Sequence, residues 1–383
     1  MTQLGSSNPL VINGVGTITQ DELGSLQLKL FQQSPLELRR VFAYQGEKSG
    51  GKFSFAGACR LEATSYEGGG TWTCGYLRTS ENIRLDGDTC TGVFSGEVAR
   101  LDSSHGTPSG FQKSSFEGII PFEVDLPFNL GADGKRNSYP ERMIKFTFNK
   151  KTNIEIQRFD GHTAIRITNK FELISDRFVE VLLQGISIAT GRNLKFIWRQ
   201  KIGEHFHHNV VSDFDFEGSR IVLPPSLNLR SLLHFISFLD GYIKFSLRNE
   251  HNYFSFWEKL HASWATGVVV AALPLAVYIE GTVMNGLRAL VEQYGIDRNL
   301  VVSWQFVRNR SAHGHDFNRE RISKTQKAVT AIFSCLRLFY ELLFLKMEFS
   351  GYVIDYSKIG FPSDFRYASR FKLKTSAVIK LSK

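Results

Sequence analysis

Long uninterrupted apolar runs are scarce in the sequence, and none is expected to cross a membrane. Its most apolar stretch, from Gly267 to Ile279, is interrupted by Pro274 and ends at Glu280, short of the roughly 20 residues that a spanning helix needs. The first residues of the chain have neither the basic region nor the apolar region of a secretory signal. We therefore expect a cytoplasmic protein without a membrane partner.

Cysteine is scarce, with four residues among 383. None belongs to a C-x-x-C pair and none has a histidine at zinc-finger spacing, so we expect reduced thiols. The small-residue runs at 49–52 and 68–70 lack the P-loop pattern, so no nucleotide cofactor is predicted. His205, His207 and His208 fit no metal-site spacing, and a solvated turn is the favoured interpretation. The sequence thus predicts neither a cofactor nor a metal.

Acidic residues are fewer than basic ones. Lys and Arg number 46 against 37 Asp and Glu, a formal net charge of +9, which favours a polyanionic partner. Hydrophobic residues make up 42% and charged residues 22% of the chain, and this balance excludes the disordered and fibrous classes. At roughly 100–200 residues per domain, the length suits about two domains.

Up to about residue 220 the sequence has the residue pattern of short β-strands. Apolar and polar residues alternate at 26–30, 154–157 and 164–168. Glycine-containing turn signals separate the segments. This pattern predicts a β-rich domain over 1–223, built as an antiparallel sandwich or barrel.

One helix is expected to interrupt the strands. Asp176 can cap a segment with apolar residues at helical spacing, and Gly191 follows its end. Residues 194–198 then have the composition of a strand.

After Leu223-Pro-Pro the hydrophobic period becomes helical. Helices are predicted from Leu229 to Ile243, at about 252–265, 271–294 and 298–313, and from an Asn318 cap through Leu343. Successive helices with short connections predict an all-α bundle over 224–348, and the fold class is therefore α+β.

The remaining residues, 349–383, form a basic and aromatic extension. Its aromatic residues interleave with Arg366, Arg370 and Lys372, among other basic residues. This mixture stacks bases and neutralises phosphates in single-strand binding. An extension that packs its aromatic rings on the bundle is the favoured alternative.

The spacing Arg-x4-His occurs three times, at Arg100 and His105, Arg308 and His313, and Arg310 and His315. The spacing alone therefore selects no site. Arg308 and His313 are distinguished by Asn309 directly after the arginine, Gly314 directly after the histidine, and their place at the end of a bundle helix.

This set has a chemical rationale. Asn309 and His313 are i, i+4 neighbours, and Gly314 suits the C′ position that ends a helix. A histidine in the last turn faces the negative end of the helix dipole. His313 can move a proton at the ribose 2′-hydroxyl or the 5′-oxygen, while Arg308 stabilises charge on the phosphoryl oxygens. An ordinary helix C-cap with a surface arginine fits the local sequence equally well.

These residues resemble the HEPN superfamily, whose ribonucleases carry arginine, a polar residue, three variable residues and histidine near the end of a bundle helix. The motif residues are Arg308, Asn309, His313 and Gly314. Ile279-Glu280 is similar to the aliphatic-acidic pair that the family often has in the preceding helix. The resemblance covers about 225–348. The β-rich half followed by a bundle also resembles the ApeA-type abortive-infection proteins of bacterial anti-phage defence.

The resemblance implies a metal-independent endoribonuclease that acts on RNA, with tRNA as the first substrate to test. It implies a homodimer in which two Arg-His motifs meet, and the helices at 271–294 and 298–313 are the expected interface. The implied catalytic residues are Arg308, Asn309 and His313, supported by Glu280, Gly314 and His315, with Arg310 binding RNA. The β-rich domain is assigned by analogy to sensing, with a phage-derived trigger.

Two alternatives stay open. The bundle can serve only dimerisation or RNA binding, or the β-rich domain can recognise a protein or glycan ligand without any catalysis. If the protein is a monomer that cleaves RNA, His315 or Glu280 supplies the second proton-transfer group.

Overall fold

The computed structural model has the α+β fold that the sequence predicts, with an antiparallel sheet region over 15–202 and a helical C-terminal region. It describes residues 1–4, 9, 11–20, 26–32, 59–64, 71–86, 89–98, 100–106, 114–131, 133–136, 142–202, 205–211, 225, 232–248, 253–283, 295–312, 322–349, 352–354, 356 and 365–367.

Thirteen strands in this part of the chain form one antiparallel sheet. They are β1 (Thr2–Gln3), β2 (Val15–Gln20), β3 (Leu26–Gln32), β4 (Cys59–Thr64), β5 (Thr71–Asp86), β6 (Thr89–Val98), β7 (Arg100–Gly106), β8 (Ser114–Ile120), β9 (Met143–Phe148), β10 (Thr152–Phe159), β11 (His162–Asn169), β12 (Trp198–Ile202) and β13 (His205–Val211). The order is β2-β3-β6-β5-β7-β13-β12-β8-β11-β10-β9, and β1 joins it through β4, which pairs with β5.

Three of these strands confirm the alternation predicted from the sequence. β3, β10 and β11 contain the segments at 26–30, 154–157 and 164–168. Tight turns connect β9 to β10 and β10 to β11, and each uses left-handed backbone: Asn149 and Lys150 have φ of 48° and 60°, and Gly161 has φ of 80°. Such conformations match the twist of paired strands, so they set the register of these hairpins.

The strand expected over 194–198 begins only at Trp198. Leu194 donates its backbone N–H to Ser187 Oγ, and Ile197 is the first residue to bond to β8, through Ile119 O at 3.0 Å. The Phe196 ring lies on Gly118 of β8, where an added Cβ would come within 2.5 Å of the ring carbon Cδ1. Residues 195 and 196 are therefore held by side-chain packing rather than by hydrogen bonds to β8.

The helix between the strands, α1 (Asp176–Thr190), ends at Gly191 as predicted, with φ of 71°. The predicted N-cap, Asp176, is wrong by one residue. Ser175 Oγ accepts the backbone N–H of Phe178 at 3.1 Å, and Asp176 is the first helical residue. A serine hydroxyl satisfies an N–H of the first turn as a carboxylate would.

Five more helices are described in the C-terminal region. They are α2 (Leu232–Arg248), α3 (Tyr253–Thr266), α4 (Ala272–Val283), α5 (Arg298–Ala312) and α6 (Ile322–Lys346), followed by a hairpin of β14 (Tyr352–Ile354) and β15 (Phe365–Tyr367). Each lies within or beside a predicted helical segment. Asn318, the expected cap of the last helix, and residues 284–294 lie outside the described residues.

The contacts divide the chain into two compact units. One comprises Met1–Glu123, Lys145–Ile174 and Lys195–Phe216, and the other contains Val124–Ile144, Ser175–Leu194 and the chain from Glu217 onward. Helix α1 thus belongs with the later helices, packing Gly185 against Leu239 and Tyr242 of α2. The predicted boundary at Leu223 lies outside the described residues and stays a prediction, as does the boundary at 348.

Aromatic rings hold three helices of the second unit together. The rings of Tyr253 on α3, Tyr278 on α4 and Phe339 on α6 lie with centroids 4.6 to 5.3 Å apart. All three side chains are buried, and burial raises the pKa of the Tyr253 hydroxyl. These contacts fix α4 beside α6, and α4 is one of the two helices that build the site described below.

Helix α6 has the most apolar long segment of the described residues. Thr325–Lys346 is long and apolar enough to span a membrane, with a mean hydropathy of 1.7 over an 18-residue window, and 83% of that window is buried inside the structure. It also contains an ion pair within the protein, Arg337 Nε to Glu341 Oε1 at 2.8 Å, with side chains 3% and 10% exposed. A place in the core of the bundle accounts for this composition.

The packing of Phe196 on β8 predicts a difference between two strand glycines. Gly118→Ala should lower the free energy of unfolding by about 1–3 kcal/mol, because the ring has to move. Gly75→Ala on β5 is the control, since nothing lies within 4 Å of the added Cβ, and it should change stability by less than about 0.5 kcal/mol. Denaturant titration measures both, and equal effects would contradict this account of the packing.

Candidate functional site

Helix α5 carries the predicted motif and has a defined start. Asp297 Oδ1 accepts the backbone N–H of Asn299 at 2.9 Å, the bond expected of an N-cap residue. The helix buries Leu300, Trp304 and Val307. The opposite side, with Val302, Gln305 and Asn309, is exposed. The apolar spacing therefore determines which side of α5 faces solvent.

Trp304 fixes α5 against α4. Its indole Nε1 donates to the carbonyl oxygen of Ala276 at 3.1 Å, and the tryptophan side chain is buried. Glu280 lies four residues after Ala276, and Arg308 lies four residues after Trp304. Because residues four apart share a helix face, the bond at Trp304 brings the next turns of the two helices together.

Those next turns meet in an ion pair. Arg308 Nη2 lies 2.5 Å from Glu280 Oε1, and the two side chains are 45% and 39% exposed. The Arg308 guanidinium carbon also lies 5.9 Å from the centroid of the Trp304 ring. A guanidinium presents several N–H donors in one plane, so this contact orients Arg308 while other donors can meet a ligand.

The pair also sets the charge state of both groups. The hydrogen bond from Arg308 lowers the pKa of Glu280, and the same bond raises the pKa of Arg308. Glu280 is therefore a carboxylate at neutral pH. A carboxyl group whose pKa lies below its ordinary value is a poor proton donor at that pH, which favours a positioning role for Glu280 over a role in proton transfer.

Four predicted site residues on α4 and α5 are thus located. Arg308 and Glu280 are in contact, Asn309 is exposed beside them on α5, and Arg310 lies in the last turn of the same helix. His313, Gly314 and His315 lie outside the described residues, so the meeting of arginine and histidine stays a prediction. Arg366 falls in β15, opposite Val353, and Arg370 and Lys372 lie outside the described residues.

Three described cysteines, Cys59, Cys74 and Cys335, are buried thiols, and burial raises the pKa of Cys335. Within the described ranges, no cluster of three or more His, Cys, Asp and Glu side chains could hold a metal ion. His205, His207 and His208 lie on β13, a strand and not the expected turn.

Sequence reasoning missed the role of Trp304, although the signal was present. A tryptophan four residues before Arg308 and buried by the helical period can carry a hydrogen bond to the neighbouring helix. It also missed the arrangement around Phe306, whose ring lies near cations from two helices. The partner that each side chain meets on the neighbouring helix does not follow from spacing within one helix.

No protein-family model, no curated protein and no solved structure matches this chain.

Proposed function

We propose that this protein is a metal-independent endoribonuclease of the HEPN type, which cleaves tRNA or other structured RNA in the cytoplasm during anti-phage abortive infection. The observation that carries the proposal is the contact between Arg308 and Glu280. It holds a partly exposed guanidinium at the C-terminal end of α5, five residues before His313. The net charge of +9 favours the polyanionic substrate.

The chemistry assigns one task to each group. The ribose 2′-oxygen attacks the adjacent phosphorus as His313 accepts its proton, and the bond from phosphorus to the 5′-oxygen breaks. A second His313, from the other subunit of a dimer, returns a proton to the 5′-oxygen. Arg308 stabilises the charge that develops on the phosphoryl oxygens. The products are a 2′,3′-cyclic phosphate and a 5′-hydroxyl.

Glu280 acts in this proposal as a positioning residue. Both partners of the pair are partly exposed, so we assign the contact a role in orientation and not a large contribution to stability. It restricts the long Arg308 side chain to one geometry before RNA arrives, which reduces the entropy lost on binding the phosphate. Asn309, exposed on the next position of α5, can hydrogen-bond to the same substrate.

The first prediction concerns cleavage itself. Purified protein incubated with total tRNA in EDTA should give discrete fragments, because no step uses a metal. Arg308→Ala should slow cleavage by about 10²–10³-fold, the usual loss for one donor to a developing oxyanion, and His313→Ala by about 10²–10⁴-fold.

Arg298→Ala is the matched control, since Arg298 is exposed at the opposite end of the same helix. It should cleave at the parental rate. If Arg308→Ala or His313→Ala cleaves as fast as Arg298→Ala, the site is wrongly assigned.

The second prediction separates positioning from proton transfer at Glu280. Since hydrogen bonding from Arg308 lowers the pKa of Glu280, the pair stays ionised throughout the neutral range and is lost only as the pH falls through and below the ordinary carboxyl range. Glu280→Gln should therefore reduce kcat/KM by about tenfold at every pH between about 5 and 9. The shape of the plot of kcat/KM against pH should stay unchanged.

Asp240→Asn serves as the control, because Asp240 pairs with Lys244 at 2.6 Å between two partly exposed side chains of α2 and has no assigned role. Its profile should superimpose on that of the parent. Loss of one limb of the profile in Glu280→Gln would instead identify Glu280 as a proton-transfer group.

The third prediction concerns assembly. Leu273 and Val277 on α4 are 55% and 51% exposed, and Val302 on α5 is 54% exposed, so the two predicted interface helices each carry exposed apolar residues. A second copy would bury them. Sedimentation should show a dimer, and Val277→Glu should shift it to monomer and abolish cleavage, whereas Leu233→Glu, at a residue 79% exposed on α2, should not.

Mixing His313→Ala chains with parental chains should lower activity more than dilution does, because mixed dimers lack one proton-transfer group. A monomer that cleaves RNA would refute the composite site. The same exposed residues favour a second candidate, a dimerisation module without catalysis, which predicts a dimer whose biological effect survives His313→Ala.

A further inference from the structure

The connection that follows β11 holds two apolar side chains in solvent. Phe171 is 73% exposed and Leu173 is 56% exposed, and they are two residues apart. Residues 169–174, which we name the Phe171 loop, belong to the first compact unit. Single exposed apolar residues are ordinary on protein surfaces, but two in one short connection form a small apolar patch.

Hydrogen bonds hold the Phe171 loop in one conformation. The side-chain carbonyl of Asn169 accepts the backbone N–H groups of Phe171 at 2.8 Å and Glu172 at 3.0 Å, and its amide donates to Thr152 Oγ1 at 3.0 Å. Asn169 is buried, and so is Ile174 at the other end of the loop, whose backbone N–H donates to a serine of β8. The apolar side chains are therefore presented without any rearrangement that a partner would have to drive.

Exposed lysines lie beside these apolar residues. Thr152 at the start of β10 pairs with Asn169 at the end of β11, so the turn between β9 and β10 lies at the same end of the sheet as the Phe171 loop. That turn carries Lys150 and Lys151, and the loop carries Lys170. All three side chains are exposed.

The only carboxylate of the loop is already paired. Lys151 Nζ lies 2.6 Å from Glu172 Oε1, whereas Lys150 and Lys170 form no ion pair with the residues that the structure describes. Among the connections that lie outside those residues, 107–113 before β8 contains no Asp or Glu, and 203–204 after β12 contains Glu204. Three lysines against one glutamate give the loop and the turn a net charge of +2.

We propose that the Phe171 loop and the β9–β10 turn dock the first unit onto the surface of a bilayer that contains anionic lipid. Phe171 and Leu173 enter the boundary between headgroups and acyl chains, and the lysines contact the headgroup phosphates. A bilayer accepts apolar side chains that project into solvent, whereas a protein partner has to supply a fitted groove. Single-stranded RNA would use the phenylalanine for stacking and leave the leucine without a role.

This docking needs no spanning segment. The sequence predicts no membrane partner because it offers no such segment, and only the exposure of these side chains in the structure indicates surface docking. Two apolar side chains and a few lysines give weak, reversible binding. The proposal is independent of the proposed cleavage site.

Sedimentation with lipid vesicles tests the proposal on the full-length protein. One set of vesicles is phosphatidylethanolamine with about 30% phosphatidylglycerol, and the other is pure phosphatidylcholine. The partition constant should be about 10–30-fold higher for the anionic vesicles, since each lysine near an anionic surface contributes about fivefold. Binding to the anionic vesicles should fall as salt is added.

Substitutions separate the apolar contribution from the charge. Phe171→Ser should lower the partition constant for anionic vesicles by at least about tenfold, and Lys170→Gln by about fivefold. Phe171→Trp keeps a ring suited to the interface and should keep the parental binding. Thermal unfolding of each variant identifies losses that come from misfolding, and Lys170→Gln tests the proposal if Phe171→Ser is unstable.

Two matched controls lie outside the loop and the turn. Leu233 is 79% exposed on α2, and the Lys135 side chain is 80% exposed in the second unit. Leu233→Ser and Lys135→Gln should each change the partition constant by less than about twofold, because an isolated exposed side chain adds neither a clustered charge nor a paired apolar contact.

Three results would overturn the proposal: no binding of the parent to anionic vesicles, equal binding to both kinds of vesicle, or equal effects of Phe171→Ser and Leu233→Ser. If Phe171→Ser binds vesicles normally but binds a 2′-O-methyl oligouridine less tightly than the parent, the loop is an RNA-binding surface instead. Cleavage of tRNA without vesicles should be the same in Phe171→Ser and the parent. A parent that binds vesicles and cleaves no tRNA would overturn the proposed function and leave the docking loop in place.

Discussion

The candidate site depends on how helix α4 is fixed against helix α5. Trp304 donates to the Ala276 carbonyl in the buried layer, and one turn later Arg308 meets Glu280 at the surface. The buried hydrogen bond sets the separation of the two helices. The exposed ion pair then fixes the position of the Arg308 guanidinium. Because a positive charge held in advance needs little reorganisation when a phosphate binds, this arrangement suits stabilisation of phosphoryl charge.

Helix α5 contacts a different helix on each of two faces. Trp304 and Arg308 face α4, while Phe306 and Arg310 lie toward Lys327 of α6. In our proposed function the face toward α4 acts on the phosphate that is cleaved. The aromatic core of Tyr253, Tyr278 and Phe339 holds α3, α4 and α6 together, so the helices on both sides of α5 belong to one packed bundle.

Periodicity in the sequence predicts most of the fold because burial acts on it directly. The alternation at 154–157 and the helical spacing around Leu239 each place one face in a core, and the structure has a strand and a helix there. The strand expected at Leu194 fails because Phe196 packs on Gly118, a contact between residues distant in sequence. Likewise Arg308 is prominent in the sequence, but its contact with Glu280 was indicated only by a family resemblance, and Lys327 was not indicated at all.

The chemistry of the RNA ends tests the central claim most directly. Fragments produced from tRNA in EDTA should carry a 2′,3′-cyclic phosphate on the 5′ fragment and a 5′-hydroxyl on the 3′ fragment, since the 2′-oxygen of the substrate is the nucleophile. The same analysis of His313→Ala should find these ends reduced by about 10²–10⁴-fold. A 3′-hydroxyl with a 5′-phosphate would mean that water attacks the phosphorus, and would contradict the assignment of Arg308 and His313 as a metal-independent ribonuclease site.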